Sequence, residues 1–237
     1  MARLEKLEET DITPAPGTFA EKLSNFWYYH KWKVIIGAAA LLLFVICGFQ
    51  MCRNSDVDLT VMYAGSCLLS RSESAEMGQT VSSLMTGDPN RDGERIADLC
   101  QLHIYSDEQI EKRIADYGKD SVSVNANQDE LKTFDNLILA GEYSVVILEP
   151  WLYRRVASGG GFRKLSDVLG SKPASAYDDY AVRFKETALY NANPELFAGY
   201  TDDTLICLRT QSQIFAGKRM AKTYAEYEKL FADLAGG

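Results

Sequence analysis

Three stretches of this chain carry side chains whose types and spacing could do chemistry. The first is Asp88-x-Asn90-x-Asp92-Gly93, which repeats the opening half of a calcium loop. Such a loop offers oxygens at positions 1, 3 and 5, turns at a glycine at position 6, and closes on a bidentate carboxylate at position 12. Position 12 here is Leu99. What remains open is a weak calcium site at Asp88, Asn90 and Asp92, completed by Asp98, the Glu94 carbonyl or water. The competing reading is a plain polar turn, since Asn and Asp bond nearby backbone and Gly accepts left-handed geometry. The second stretch is Glu149-Pro150-Trp151-x-Tyr153, just beyond the apolar run Val145–Leu148. A carboxylate beside aromatic rings suits a sugar or a cationic solute. The competing reading is that Glu149 caps a helix opened by Pro150 while Trp151 packs on the sheet. The third is Gly65-Ser66, which follows the first strand-like stretch by the same logic. Gly65, Ser66, Glu149, Trp151 and Tyr153 are therefore the expected ligand-binding residues.

Reactive groups for catalysis are scarce. The two histidines are His30 and His103, and there is no Gly-x-Ser-x-Gly elbow. Ser158-Gly159-Gly160-Gly161 lacks the Gly-Lys-Ser/Thr of a nucleotide loop and follows a helix instead of preceding one. The reading is of a non-catalytic protein with no cofactor beyond the weak calcium site. Cys67, Cys100 and Cys207 are not spaced as a metal or redox motif and read as small apolar residues; a Cys67–Cys100 disulfide is the alternative.

These residues need elements to hold them. Val57, Leu59, Val61 and Tyr63 alternate as in a strand. Ser70 and Glu73 have the spacing of a capping box, and Met77, Val81 and Leu84 continue as an apolar helical stripe that Gly87 ends. A second strand is expected over Ile96–Tyr105. Ser106 to Gln109 caps a helix bearing Ile110, Ile114 and Tyr117. Asn127 to Glu130 caps the next, with Leu131, Phe134, Leu137 and Ile138 on one face and Gly141 at its end. Val145–Leu148 is apolar throughout, as a central strand covered on both faces would be. Two late strands, Ala181–Lys185 and Thr204–Arg209, precede a last helix striped by Met220, Tyr224, Tyr227, Phe231 and Leu234. Strands alternating with helices predict an α/β domain with a largely parallel sheet and helices on both faces.

Ahead of this domain, Val34 to Cys52 runs about nineteen residues without a formal charge. As a helix it is about 28 Å long, close to the hydrocarbon thickness of a bilayer. It reads as one transmembrane helix and an uncleaved signal anchor. Trp27, Tyr28, Tyr29 and Trp32 interleave with Lys31 and Lys33 as an interfacial belt. Lys22, Lys31 and Lys33 flank the run on its amino side and Asp56 and Asp58 follow it. This predicts a cytoplasmic N-terminus and an extracytoplasmic domain, with the lipid bilayer as a partner. The expected organisation is a cytoplasmic tail over 1–24, belt and membrane helix over 25–52, and the α/β domain over 53–237. Residues 1–33 hold five basic and five acidic side chains, whereas 53–237 hold twenty against twenty-eight. So acidic a domain is a poor partner for nucleic acid.

One block resembles a known family. Phe134-Asp135-Asn136-Leu137-Ile138-Leu139-Ala140-Gly141 leads into Glu142-Tyr143-Ser144-Val145-Val146-Ile147-Leu148. Trp151 to Ala157 and Gly161-Phe162-Arg163-Lys164-Leu165-Ser166-Asp167-Val168-Leu169 follow. This is similar to the extracellular solute-binding proteins of ABC importers, with Ser144 where that family usually has Asp. The resemblance implies a periplasmic-binding-protein-like lobe, and about 185 residues suit one lobe better than the usual pair. The aromatic entry to the membrane with the Asp-x-Asn-x-Asp-Gly turn behind it also resembles single-pass membrane proteins of clostridia. Two roles stay open: capture of a small solute, or an accessory subunit docking on a membrane-protein partner without a ligand.

Overall fold

The computed structural model describes residues 17–53, 57–90, 92–210 and 218–236, with backbone alone at 20–22, 24–25, 44–53 and 218–223. The expected tail therefore falls mostly outside the described residues. The chain divides into two units, Met1–Asn54 and Ser55–Gly237.

The described residues of the first unit form one helix, α1 (Phe19–Arg53). Its 35 residues span about 52 Å at 1.5 Å per residue. Trp27, Tyr28, Tyr29 and Trp32 all project outward, with the Lys31 ammonium 5.8 Å from the Tyr28 ring centroid. Among the described residues no helix is long and apolar enough to cross a membrane. The side chains of Phe44 to Cys52, the second half of the apolar run, lie outside the described residues.

The second unit is α/β. Its strands are β1 (Leu59–Gly65), β2 (Ala97–His103), β3 (Val145–Leu148), β4 (Ala181–Arg183) and β5 (Leu205–Leu208). They form one sheet in the order β2-β1-β3-β5-β4. β1 runs parallel to both β2 and β3, with Val61 opposite Leu99 and Val145. β5 is antiparallel to β3 and to β4, so it alone points the other way. The sheet is mixed and mostly parallel. This agrees with the expected largely parallel sheet; which strand runs antiparallel is not readable from its residues, because a strand's pattern carries no direction and the connection before it sets that.

Both faces are covered. Tyr63, Val61, Ile147 and Ile206 pack with Met77 and Val81 of α2 (Arg71–Leu84) and with Leu230, Phe231 and Leu234 of α8 (Lys218–Ala235). The alternate residues, Met62, Ala64, Val146 and Leu148, pack on the other side. Their partners there are Phe134 of α4 (Val124–Ala140) and Leu152 and Val156 of α5 (Pro150–Ala157). This double burial is why Val145–Leu148 reads as an unbroken apolar run. The other α-helices among the described residues are α3 (Asp107–Tyr117), α6 (Leu165–Leu169) and α7 (Ala188–Ala192).

Two capping boxes form as their spacing predicts, Ser70 with Glu73 on α2 and Ser106 with Gln109 on α3. Gly141 closes α4 in the left-handed region at φ 69°. Two boundaries differ from expectation. α2 ends at Leu84 with Met85 as its cap, ahead of Gly87. α4 starts at Val124, capped by Ser123, whose hydroxyl accepts the Ala126 N–H. Asn127 is not a cap: its side-chain amide accepts the Tyr105 N–H at 2.8 Å and donates to the Tyr105 carbonyl at 3.0 Å.

Candidate functional site

The strand order reverses between β1 and β3. After β1 the chain crosses to β2 on one side, and after β2 it returns to β3 on the other. Segments leaving the carboxyl ends of such a pair part in opposite directions and leave a crevice between them. Gly65-Ser66 leaves β1 there and Glu149 leaves β3 there, and the structure brings them into contact.

Glu149 is buried, and four donors converge on its carboxylate. Oε1 accepts the Ser66 N–H and the Ser66 hydroxyl, each at 2.6 Å. Oε2 accepts the Gln109 side-chain N–H at 2.8 Å and the Trp151 indole N–H at 3.2 Å. Among the described residues no Lys, Arg or His reaches Glu149 within ion-pair distance. Glu149 occupies the position before α5, yet its side chain makes no cap bond to that helix. It ties the exits of β1 and β3 to the start of α3. Gln109 serves twice, since its carbonyl oxygen also accepts the Ser106 N–H at 2.7 Å.

Gly65 makes this approach possible. A Cβ at that position would lie 2.5 Å from the Tyr63 hydroxyl and 2.8 Å from Glu149 Oε1. The Tyr63 hydroxyl accepts the Cys67 N–H at 3.2 Å, and its ring stacks on Tyr200 at 4.2 Å. Burial pushes the Tyr63 phenol well above its ordinary pKa. Burial raises the Cys67 thiol as well, aided by the carboxylates of Glu73 and Glu149. His103 Nε2 lies 3.0 Å from the Ser66 carbonyl, which holds the loop from the β2 side.

Beside this junction lies a cleft of about 740 Å³. Its lining includes Glu149 and Trp151, the start of α3 at Asp107 and Glu108, the first turns of α4 at Val124 and Leu131, and Asp203. Arg154 and Arg155 also line it. Arg155 is held by Asp135 through two hydrogen bonds, at 2.8 and 2.6 Å. The Arg154 side chain has no partner among the described residues.

Of the expected residues, Gly65, Ser66, Glu149 and Trp151 meet here. Tyr153 does not. It is buried on the sheet face, stacks on Phe162 at 5.2 Å, and donates its hydroxyl proton to Asp178 at 2.5 Å. That burial, with the Asp178 bond, raises its pKa. Gln109, Arg154 and Asp203 were not expected. Only the capping spacing flagged Gln109, and its bond to Glu149 spans forty residues of sequence.

The described residues of the Asp88–Gly93 segment bond one another through side chain and backbone, the Asn90 amide donating to Asp92 at 3.1 Å. Asp88 accepts the Gly93 N–H at 2.9 Å, Asn90 the Asp92 N–H at 2.9 Å, and Asp92 the Glu94 N–H at 2.8 Å. Among the described residues no group of three His, Cys, Asp or Glu side chains could hold a metal ion. Cys67, Cys100 and Cys207 are free thiols.

Compared with family models, with curated proteins and with solved structures, the chain matches none of them.

Proposed function

We propose that this chain is a membrane-anchored, non-catalytic binding module that captures a small solute in the cleft beside Glu149. One observation carries the reading: two segments far apart in sequence close on one buried carboxylate where the strand order reverses, and a cleft of ligand size opens next to it. In this reading Glu149 braces the site and the solute meets Trp151 and the rim. The resemblance of Phe134–Leu169 to solute-binding proteins of ABC importers supports the same role. The apolar run Val34–Cys52 and the exposed rings around it support a single bilayer crossing, with the α/β unit outside the cell.

A thermal-shift screen of the full chain in detergent against sugars, amino acids and short peptides tests capture, because a ligand that binds only the folded state raises the melting temperature by mass action. Silence from every solute at millimolar concentration would overturn it and favour an accessory subunit that docks on a membrane protein. Protease added to intact cells tests the topology: the α/β unit should be cut, and its survival would reverse the assignment of sides.

A further inference from the structure

Resting on that reading, the charges around the cleft narrow the class of solute. Glu149 lies in its lining as a buried carboxylate with four hydrogen-bond donors and, among the described residues, no counter-ion. Hydrogen bonds from neutral groups stabilise a carboxylate but leave its charge in place, and low-dielectric walls focus that charge into the cleft. Three further carboxylates stand on the rim: Asp107, Glu108 and Asp203. None has a partner among the described residues. Asp107 and Glu108 also suit the first turn of α3, where negative charge is favoured by the helix dipole. Asp203 has no such helix to serve. Its neighbour Asp202 is held by Lys185, whereas Asp203 is left facing the cleft. Against these, among the described residues, stands one unpaired cation of the lining, Arg154, since Arg155 is neutralised by Asp135. The balance in the cleft is therefore negative. Its wall is also partly apolar, through Val124, Leu131 and Trp151.

We propose that the cleft selects a cationic solute with an apolar portion, its positive group toward Asp107, Glu108 and Asp203 and its apolar portion against Val124, Leu131 and Trp151. Its size, about 740 Å³, suits a ligand of two or three residues' bulk.

The test uses three solutes of one shape: N-acetyl-leucyl-lysine amide, N-acetyl-leucyl-glutamine amide and N-acetyl-leucyl-glutamate amide, with charges of plus one, zero and minus one. The chain has three tryptophans, at 27, 32 and 151. Replacing Trp27 and Trp32 with Phe in the full chain leaves Trp151 as the only indole reporter. The lysine compound should change Trp151 fluorescence with an affinity about fivefold or more above the glutamine compound, and the glutamate compound should bind weakest. Added salt should shrink the difference, because the rim charges are screened beyond about 10 Å at 0.1 M. The triple variant D107N/E108Q/D203N changes only exposed side chains and should bring the lysine and glutamine compounds to equal affinity, while Arg154→Gln should widen their gap. Equal binding of all three compounds, or a preference for the glutamate compound, would overturn the charge selectivity and leave solute capture standing. No response to any of the three would also overturn it, and the wider thermal-shift screen then decides whether capture itself fails.

Discussion

Replacing Glu149 with Gln is the most direct probe of the junction. Glutamine has the same shape, so packing is kept and only the acceptors change. Its carbonyl oxygen can take over the two Ser66 bonds at 2.6 Å. Its NH₂ must then face the Gln109 amide and the Trp151 indole N–H, at 2.8 and 3.2 Å. Both are donors. The Trp151 N–H cannot turn away without moving the indole. Gln109 can rotate its amide only by losing the bond its oxygen makes to the Ser106 N–H, which belongs to the α3 capping box. Two charge-assisted bonds are lost and two donors are left facing a third, so the cost should be about 3 kcal/mol. For a unit of this size that is a fall of about 6–12 °C in melting temperature. Circular dichroism on the full chain, following the α/β transition, measures it. Ser66→Ala removes one of the four bonds and should cost about 1 kcal/mol. A Glu149→Gln variant within about 2 °C of the wild type would refute the claim that this carboxylate ties the two strand exits together.

Further outcomes follow from the same geometry. Gly65→Ala should destabilise by about 1–3 kcal/mol in urea denaturation, because the added Cβ meets the Tyr63 hydroxyl and Glu149. Tyr63, Tyr153 and Tyr200 all have pKa values raised chiefly by burial. The folded state therefore keeps protons that the unfolded state gives up above the ordinary phenol value of 10.0, so the denaturation midpoint should hold below that pH and fall above it. A flat profile through that range would contradict the burial of these rings. Calcium at millimolar concentration should leave the melting temperature unchanged, since the oxygens of Asp88, Asn90 and Asp92 already accept backbone N–H groups; an upward shift on calcium addition, reversed by chelator, would show that the turn reopens around the ion.

Much of the α/β unit was legible because its signals are local. The alternation in Val57–Tyr63, the apolar run Val145–Leu148 and the spacing of Ser70 with Glu73 each report on neighbours along the chain. The meeting of Gly65, Ser66 and Glu149 was legible more indirectly, through the rule that strand exits in α/β sheets gather at one edge. What the residues did not disclose depends on distant partners. Asn127 has the composition of a helix cap, but its amide is taken by the Tyr105 backbone. The reversed direction of β5 depends on the path between Asn193 and Thr204, not on Leu205–Leu208 itself. Tyr153 is a different case. With Pro150 opening a helix, residues 151 and 153 are about 200° apart around its axis, so Trp151 at the cleft already placed Tyr153 elsewhere.

β1 opens the α/β unit at Leu59, while Gly65 and the cleft belong to its carboxyl end, six residues and about 20 Å further along. The first residues of β1 and the cleft thus lie at opposite ends of the same strand. A fluorescent label carried on the exposed side chain of Val57 would leave the cleft open, whereas the same group placed at Ser66 or Asp203 would plug it.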